Sequence, residues 1–372
     1  MKFFNYDPGT QITTQVSERI SKVISEGQFI GGAEVSLFEA NFAGYTDCPE
    51  VVTCGNGLDA LALALSDLEL PQGSKIAVSG HTFFATWLAI LNAGFIPVGV
   101  DADLSNLQMS PDALSEVLSR NEIHAVIYVH MHGILGAIQE VVDLCAKYNL
   151  PLIEDCAQAH GLRVEGKHVG SLGDYGAFSF YPTKNLPALG DAGAVIASKR
   201  SMRLVRSRAN YGWMPGDRDK HEILGVNSRL DSLQAGILNV HLAHLNSFNS
   251  LRSSVAHRYN EAIRGAANPE RIHALPSGTV SVWHHYPVRV IDREEFVAFM
   301  ASKGVPTQIH YPTPCHKHPA YLNSVSIEEE NDSLRNVEEI SKTIVSLPMH
   351  PWLKDQEVEL VVGALSEWMA KE

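Results

Sequence analysis

No uninterrupted apolar run in the 372-residue chain approaches the roughly 20 residues of a membrane span, so no transmembrane helix is expected. The opening MKFFNYDPGT lacks the apolar core of a secretory leader, and a cytoplasmic protein is expected. Cysteine is scarce: Cys48, Cys54, Cys145, Cys156 and Cys315 are scattered and form no C-x-x-C pair. An odd, dispersed set excludes a disulfide framework and fits reduced thiols used for packing. Basic residues are outnumbered, 29 Lys and Arg against 42 Asp and Glu, for a net charge of −13. That balance removes any global drive toward nucleic acid, while leaving local basic groups free to hold an anionic substrate. Neither G-x-x-x-x-G-K-[ST] nor G-x-G-x-x-G occurs, which counts against nucleotide-driven chemistry. Tandem repeats and low-complexity linkers are absent as well.

What is present is an ordinary globular balance, 45% hydrophobic and 19% charged, in a chain long enough for two lobes or one large α/β unit. Ile76–Val78, Pro97–Val100, Ala125–Val129 and Leu150–Ile153 read as buried strands. Between them, Thr86–Ala93, Asp112–Ser119 and Ile138–Lys147 read as helices. This alternation predicts right-handed crossovers and a mostly parallel central sheet, with chemistry just beyond the carboxyl ends of the strands. From Arg229 onward, Leu230, Leu233, Ile237 and Leu238, then Leu251, Val255, Tyr259 and Ile263, recur at helical spacing and predict a long connector. Beyond it, Val280–Val290 and Pro306–His310 read as strands, Arg293–Lys303 and Gln356–Lys371 as helices. The expected division is a large α/β domain over 1–240, and a connector helix with a smaller C-terminal α+β domain over 241–372.

Three segments carry chemistry. Thr53-Cys54-Gly55-Asn56-Gly57 puts small residues ahead of a helix, where free N–H groups and the positive dipole end suit an anion. Leu152-Ile153-Glu154-Asp155-Cys156-Ala157-Gln158-Ala159-His160 brings two carboxylates, an amide and an imidazole to a strand end. The period-two pleat turns Glu154 and Asp155 to opposite faces, so one of them enters a given site. Phe178-Ser179-Phe180-Tyr181-Pro182-Thr183-Lys184 sets a lysine among aromatic and small residues. Desolvation there disfavours the ammonium, and a neutral lysine forms Schiff bases with carbonyls.

In order along the chain, GNGLDAL, TFFATWLAI, EDCAQAHG, FSFYPTKN, NSRLDSLQAGIL, HYPTPCHKHPAY and SLPMHPWL resemble the sugar aminotransferases of the DegT/DnrJ/EryC family. The resemblance runs from about Gly27 to the end and implies the fold-type I aspartate-aminotransferase architecture of pyridoxal 5'-phosphate enzymes. It implies Lys184 as the catalytic residue, holding the cofactor as an internal aldimine and shuttling the proton, with pyridoxamine 5'-phosphate as the alternate form. Asp155 would pair with the ring nitrogen and Gln158 with the ring hydroxyl, while Phe83, or failing that Phe84, would stack on the ring. Gly55, Asn56 and Ser179 would hold the phosphate, and Asn227 would reach the phosphate of a neighbouring subunit, making a homodimer part of the expectation.

On the substrate side, the resemblance is nearest to enzymes that aminate nucleoside-diphosphate-linked 3-keto-6-deoxyhexoses, with L-glutamate as amino donor. It implies sugar or diphosphate contacts at Tyr181, His310 and Tyr311, and at a basic residue near Arg218 and Lys220. Trp213–Asp217, Pro187 and Ala192 depart from the relatives' pattern. A competing substrate is therefore a free sugar-acid aldehyde, such as 8-oxo-3-deoxy-octulosonate, held through Arg218, Arg229 or a histidine; Arg229 is otherwise expected to pair with Asp231 or Asp191. Lipopolysaccharide or O-antigen sugars are among the expected products of such amino-sugar biosynthesis. A dehydratase on this fold would carry histidine in place of Lys184, and a non-catalytic regulator would not need the full set. The Cys315-His316-Lys317-His318 cluster lacks the spaced fourth ligand of a zinc site, so no metal is expected.

Overall fold

The computed structural model describes residues 1–198, 200–214, 217–324 and 334–371. At its centre lie β1 (Glu50–Cys54), β2 (Lys75–Ser79), β3 (Ile96–Val100), β4 (Ala125–Val129), β5 (Leu152–Asp155), β6 (Tyr175–Ser179) and β7 (Gly193–Ala197). These strands form one seven-stranded sheet in the order β1-β7-β6-β5-β4-β2-β3. Of the seven, β7 runs antiparallel to its neighbours and the rest are parallel. Every residue of β4 is buried, as a run of Ala-Val-Ile-Tyr-Val must be when both sheet faces are covered.

Helices α1 (Thr10–Glu26) and α2 (Ala33–Thr46) precede the sheet, and α3 (Gly57–Ser66), α4 (Phe84–Asn92), α5 (Pro111–Arg120) and α6 (Ile138–Tyr148) cross between its strands. Local signals start them: Asn56 caps α3 by accepting from the Asp59 N–H, and Ser110 caps α5 with Pro111 in its first turn. Leu61, Leu65, Trp87 and Ile90 fill one face of the sheet, while Leu114, Leu118, Val141 and Cys145 fill the other. Each such side chain contributes about 1.5–3 kcal/mol on burial. All five cysteines are free and buried, as packing residues should be.

After α7 (Arg203–Ala209) and a hairpin of β8 (Trp213–Met214) and β9 (Asp217–His221) comes α8 (Ser232–Arg264), the expected connector. Its first half gives Ala235, Leu238, Leu242 and Leu245 to the core that holds Phe38, Phe42, Phe178 and Phe180. Its second half gives Val255, Ala256, Tyr259 and Ile263 to a separate core. That second core belongs to β10 (Tyr286–Arg289), α9 (Arg293–Ser302), β11 (Ile344–Leu347) and α12 (Asp355–Ala370), while the short α10 (Pro319–Leu322) gives Tyr321 to the core of Leu61 and Trp87 and α11 (Arg335–Thr343) puts Val337 and Ile340 in a small cluster with Leu107. A division at 240/241 falls inside α8, which serves both cores.

Two expected strands are corrected. The Val280–Val290 run is regular only over Tyr286–Arg289. Trp283 has φ 51°, and the Val282 and His284 N–H groups are taken by the carbonyls of Gly133 and His132. Pro306–His310 forms a single bridge, Gln308 to Ser346, since Pro306 offers no N–H to a ladder.

Candidate active site

The ends of β5 and β6 position the chemistry. Register pairs Glu154 with Gly176 and Asp155 with Ala177, and the pleat sends the two carboxylates to opposite faces. Glu154 turns inward, where it accepts from the N–H groups of Gly170, Leu172 and Gly173 and pairs with His130 at 2.9 Å. Burial pushes the Glu154 acid up, but His130 and those N–H donors outweigh it and hold the group below the ordinary carboxylate range. His130, Glu154 and Cys156 lie close enough to share an ion. With the Glu154 oxygens already accepting four hydrogen bonds, the group reads as a structural knot behind the sheet.

Asp155 faces the other way, accepting from the Thr86 hydroxyl at 2.9 Å and the Ala157 N–H at 3.1 Å. Burial raises its acid, against those two bonds and the nearby Lys184 charge. In β6 and just beyond it, Phe178 and Phe180 lock edge-on against Phe42, at 5.1 and 5.4 Å. Ser179 between them therefore faces the same side as Asp155. The chain then turns through Pro182, closed by the Lys184 N–H to the Tyr181 carbonyl at 2.8 Å. Buried Asn185 pins this turn by donating to the Asn249 side chain and to the Val282 carbonyl, both at 2.8 Å. Lys184 is thereby held half-buried at the cavity wall. Burial lowers its ammonium from 10.5 to about 8, with Asp155 opposing.

A cavity of about 740 Å³ opens over these groups. Of the expected cofactor residues it brings together Asn56, Phe83, Asp155, Gln158, Ser179 and Lys184; of the expected sugar contacts, Tyr181, His310 and Tyr311. Both Phe83 and Phe84 line the cavity; Phe83 is 56% exposed and stands 5.3 Å from the Tyr311 ring, whereas Phe84 also packs on His318 and the core. Phe83 is thus the better placed of the two to cover a ring. The Gln158 carbonyl oxygen accepts from the His132 N–H at 2.6 Å, which leaves its NH₂ for the cavity and the Tyr311 hydroxyl.

Gly55, Asn227 and Lys220 lie outside this cavity. Gly55 does not line the cavity: its N–H donates to Ser228 Oγ at 2.9 Å, and Ser228 in turn donates to Asp59. Gly57 takes its place at the cavity wall, because a Cβ there would lie 2.6 Å from the Ser179 Cβ. The first-turn N–H groups of Gly57 and Leu58 have no helical acceptor and supply the anion cradle. Asn227 is exposed, in a bridge with Asn210, and Lys220 is exposed and paired with Glu222; neither reaches this cavity. Arg218 sits in β9, and its side chain, like Pro215 and Gly216, lies outside the described residues. Arg229 pairs with neither Asp231 nor Asp191: it donates to Asn210 at 3.2 Å and lies over the Tyr211 ring.

Residues that sequence reasoning passed over are Gly57, Thr86, His284 and His285, all of which line the cavity. Gly57 stands two residues after Gly55 in the same motif. The His284-His285 doublet was visible, but its meeting with His310 joins segments far apart in the chain.

A lysine lowered by burial, an acid in the same cavity and the free N–H groups of a helix start are a set that fits pyridoxal 5'-phosphate. The chain belongs to the DegT/DnrJ/EryC1/StrS aminotransferase family, whose model matches residues 10–366. It is 39% identical over 95% of its length, and 95% of the relative's, to dTDP-3-amino-3,6-dideoxy-alpha-D-galactopyranose transaminase of Aneurinibacillus thermoaerophilus. It is 34% identical to dTDP-3-amino-3,4,6-trideoxy-alpha-D-glucose transaminase of Streptomyces venezuelae, over 96% of this chain and 93% of that one. Among solved structures, S. venezuelae DesV in complex with a ketimine intermediate superposes with a TM-score of 0.90 at 33% identity, covering 97% of this chain and 96% of that one. The fold expectation is met, and the protein is a sugar aminotransferase.

Proposed function

We propose that the protein transfers the amino group of L-glutamate to a nucleoside-diphosphate-linked 3-keto-6-deoxyhexose, using pyridoxal 5'-phosphate in this cavity. The observation that carries the reading is Lys184, depressed to about 8 by burial, sharing one cavity with Asp155 and the start of α3. Bound there, the cofactor supplies an aldehyde for amines and a ring that accepts an electron pair. The protein's own part is positioning and proton transfer. Asp155, kept in place by Thr86 and Ala157, would hold a positive charge on the ring nitrogen. The first turn of α3, with Asn56 and Ser179, takes the phosphate dianion where the helix dipole favours it. Phe83 would cover one ring face, and Gln158 would offer its NH₂ to the ring hydroxyl. Lys184 Nζ, lowered to about 8, would be the group that takes up and gives back the substrate-carbon proton.

Tyr181, His310 and Tyr311 form the wall left for the sugar. The names of the two transaminases given above carry dTDP-linked deoxysugars, which favours that substrate over a free sugar-acid aldehyde. A homodimer belongs to the reading: Asn227 is exposed and does not line its own cavity, and it lies beside Leu224 and Val226, which are 96% and 52% exposed. The cytoplasm is the compartment that holds both nucleotide sugar and glutamate. The test is amination of dTDP-3-keto-6-deoxyglucose by purified protein with L-glutamate, read by product mass, together with borohydride trapping of the cofactor on Lys184. Undiminished amination by Lys184→Ala would end this reading.

A further inference from the structure

Behind the sugar-side wall of the cavity lies a line of imidazoles that transamination does not require. His81 follows β2, His132 follows β4, and His285 comes from the small lobe just ahead of β10. His81 Nε2 lies 3.3 Å from His132 Nε2, and His132 Nδ1 lies 3.2 Å from His285 Nδ1. His285 lines the cavity and stacks on His310, centroids 3.8 Å apart and planes at 10°. Its Nδ1 is committed to His132, and its Nε2 has no protein partner among the described residues and is not sealed in the interior.

We infer that His285 reads the sugar through Nε2, and that the hydrogen-bonded chain His81–His132–His285 sets whether that nitrogen donates or accepts. The inference rests on the cavity being the site of sugar transamination. Burial holds all three rings neutral near pH 7: it lowers His81 to about 4, with His310 adding, and His132 and His285 well below the ordinary range. A neutral imidazole carries one N–H and one lone pair. His132, bonded at both nitrogens, must therefore donate to one neighbour and accept from the other. If it donates from Nε2 to His81, it accepts at Nδ1 from His285 Nδ1–H. His81 then carries its proton on Nδ1, and His285 Nε2 is a bare acceptor facing the cavity. If it donates from Nδ1 to His285, the chain reverses: His81 and His285 both carry Nε2–H, and the cavity meets a donor. In either arrangement His81 and His285 share one tautomer and His132 has the opposite one. The identity of a nitrogen at the sugar wall is thus set by a ring two places away.

The measurement is ¹⁵N NMR of the cofactor-loaded holoenzyme with labelled histidine, assigned through His81→Phe and His285→Phe. The expected result is one shared tautomer at His81 and His285 and the other at His132; different tautomers at the two ends overturn the chain. For the substrate role, kcat/KM for dTDP-3-keto-6-deoxyglucose in His285→Phe should fall about tenfold relative to the L-glutamate half-reaction, the cost of one lost hydrogen bond. His285→Asn, which keeps a donor and an acceptor, should recover part of it. An equal fall in both half-reactions, or none, overturns the assignment to the sugar. If the wild-type holoenzyme fails to react with L-glutamate at all, the transamination reading fails instead, while the tautomer pattern still decides the chain.

Discussion

Lys184 offers the sharpest quantitative test. An ammonium ordinarily at 10.5 and held at about 8 has its neutral-to-charged ratio multiplied about 300-fold at any given lower pH. Near pH 7.5, about a quarter of the molecules then carry a nucleophilic amine, against roughly one in a thousand for a solvated lysine. The cause is burial, opposed by the charge of Asp155. Two perturbations follow. Acylation of the cofactor-free protein by trace acetic anhydride, read on the Lys184 peptide by mass spectrometry between pH 6 and 11, should rise through a midpoint near 8 and level off above it. In Asp155→Asn the opposing charge is gone, burial acts alone, and the midpoint should move to lower pH. A wild-type midpoint at 10 or above, or an upward move in Asp155→Asn, would refute the argument that dryness rather than charge sets this group.

Other expectations are more local. Gly57→Ala drives a methyl to 2.6 Å from the Ser179 Cβ; the fold should survive, but pyridoxal 5'-phosphate affinity, measured by fluorescence quenching, should drop tenfold or more. Thr86→Val removes the hydroxyl that donates to Asp155; the Asp155 acid should rise further, and turnover at pH 7.5 should fall about tenfold, the value of one hydrogen bond to a charged group. Arg252 is buried and donates to the carbonyls of Trp283, His284 and Met349. Arg252→Met should orphan all three and cost about 3 kcal/mol, seen as a lower urea midpoint.

Much of the large domain was legible because its signals are local. Apolar runs such as Ala-Val-Ile-Tyr-Val bounded by helical patterns can hardly be anything but buried parallel strands. The opposed directions of Glu154 and Asp155, and the isolation of Ser179 between two buried phenylalanines, follow from the pleat alone. The small lobe was read less well. A left-handed Trp283 and carbonyls borrowed from Gly133 and His132 break the Val280–Val290 run, and neither partner is near it in sequence. Gly55 was chosen over Gly57 for the same reason: only the approach of Ser179, from β6, distinguishes them. The histidine chain gathers three segments from both lobes, so no window of sequence contains it.

One helix, α8, is a member of both cores. Near its middle Asn249 holds the loop that carries Lys184, and one turn later Arg252 grips the backbone beside His285. The floor of the cavity and its sugar-facing wall are bolted to a single strut within three residues of each other. Swinging the lobes apart would mean bending that strut or stripping a buried guanidinium of its acceptors. A substrate of the proposed size would therefore enter over the pocket mouth, past the exposed Tyr181, rather than through a parting of the two halves.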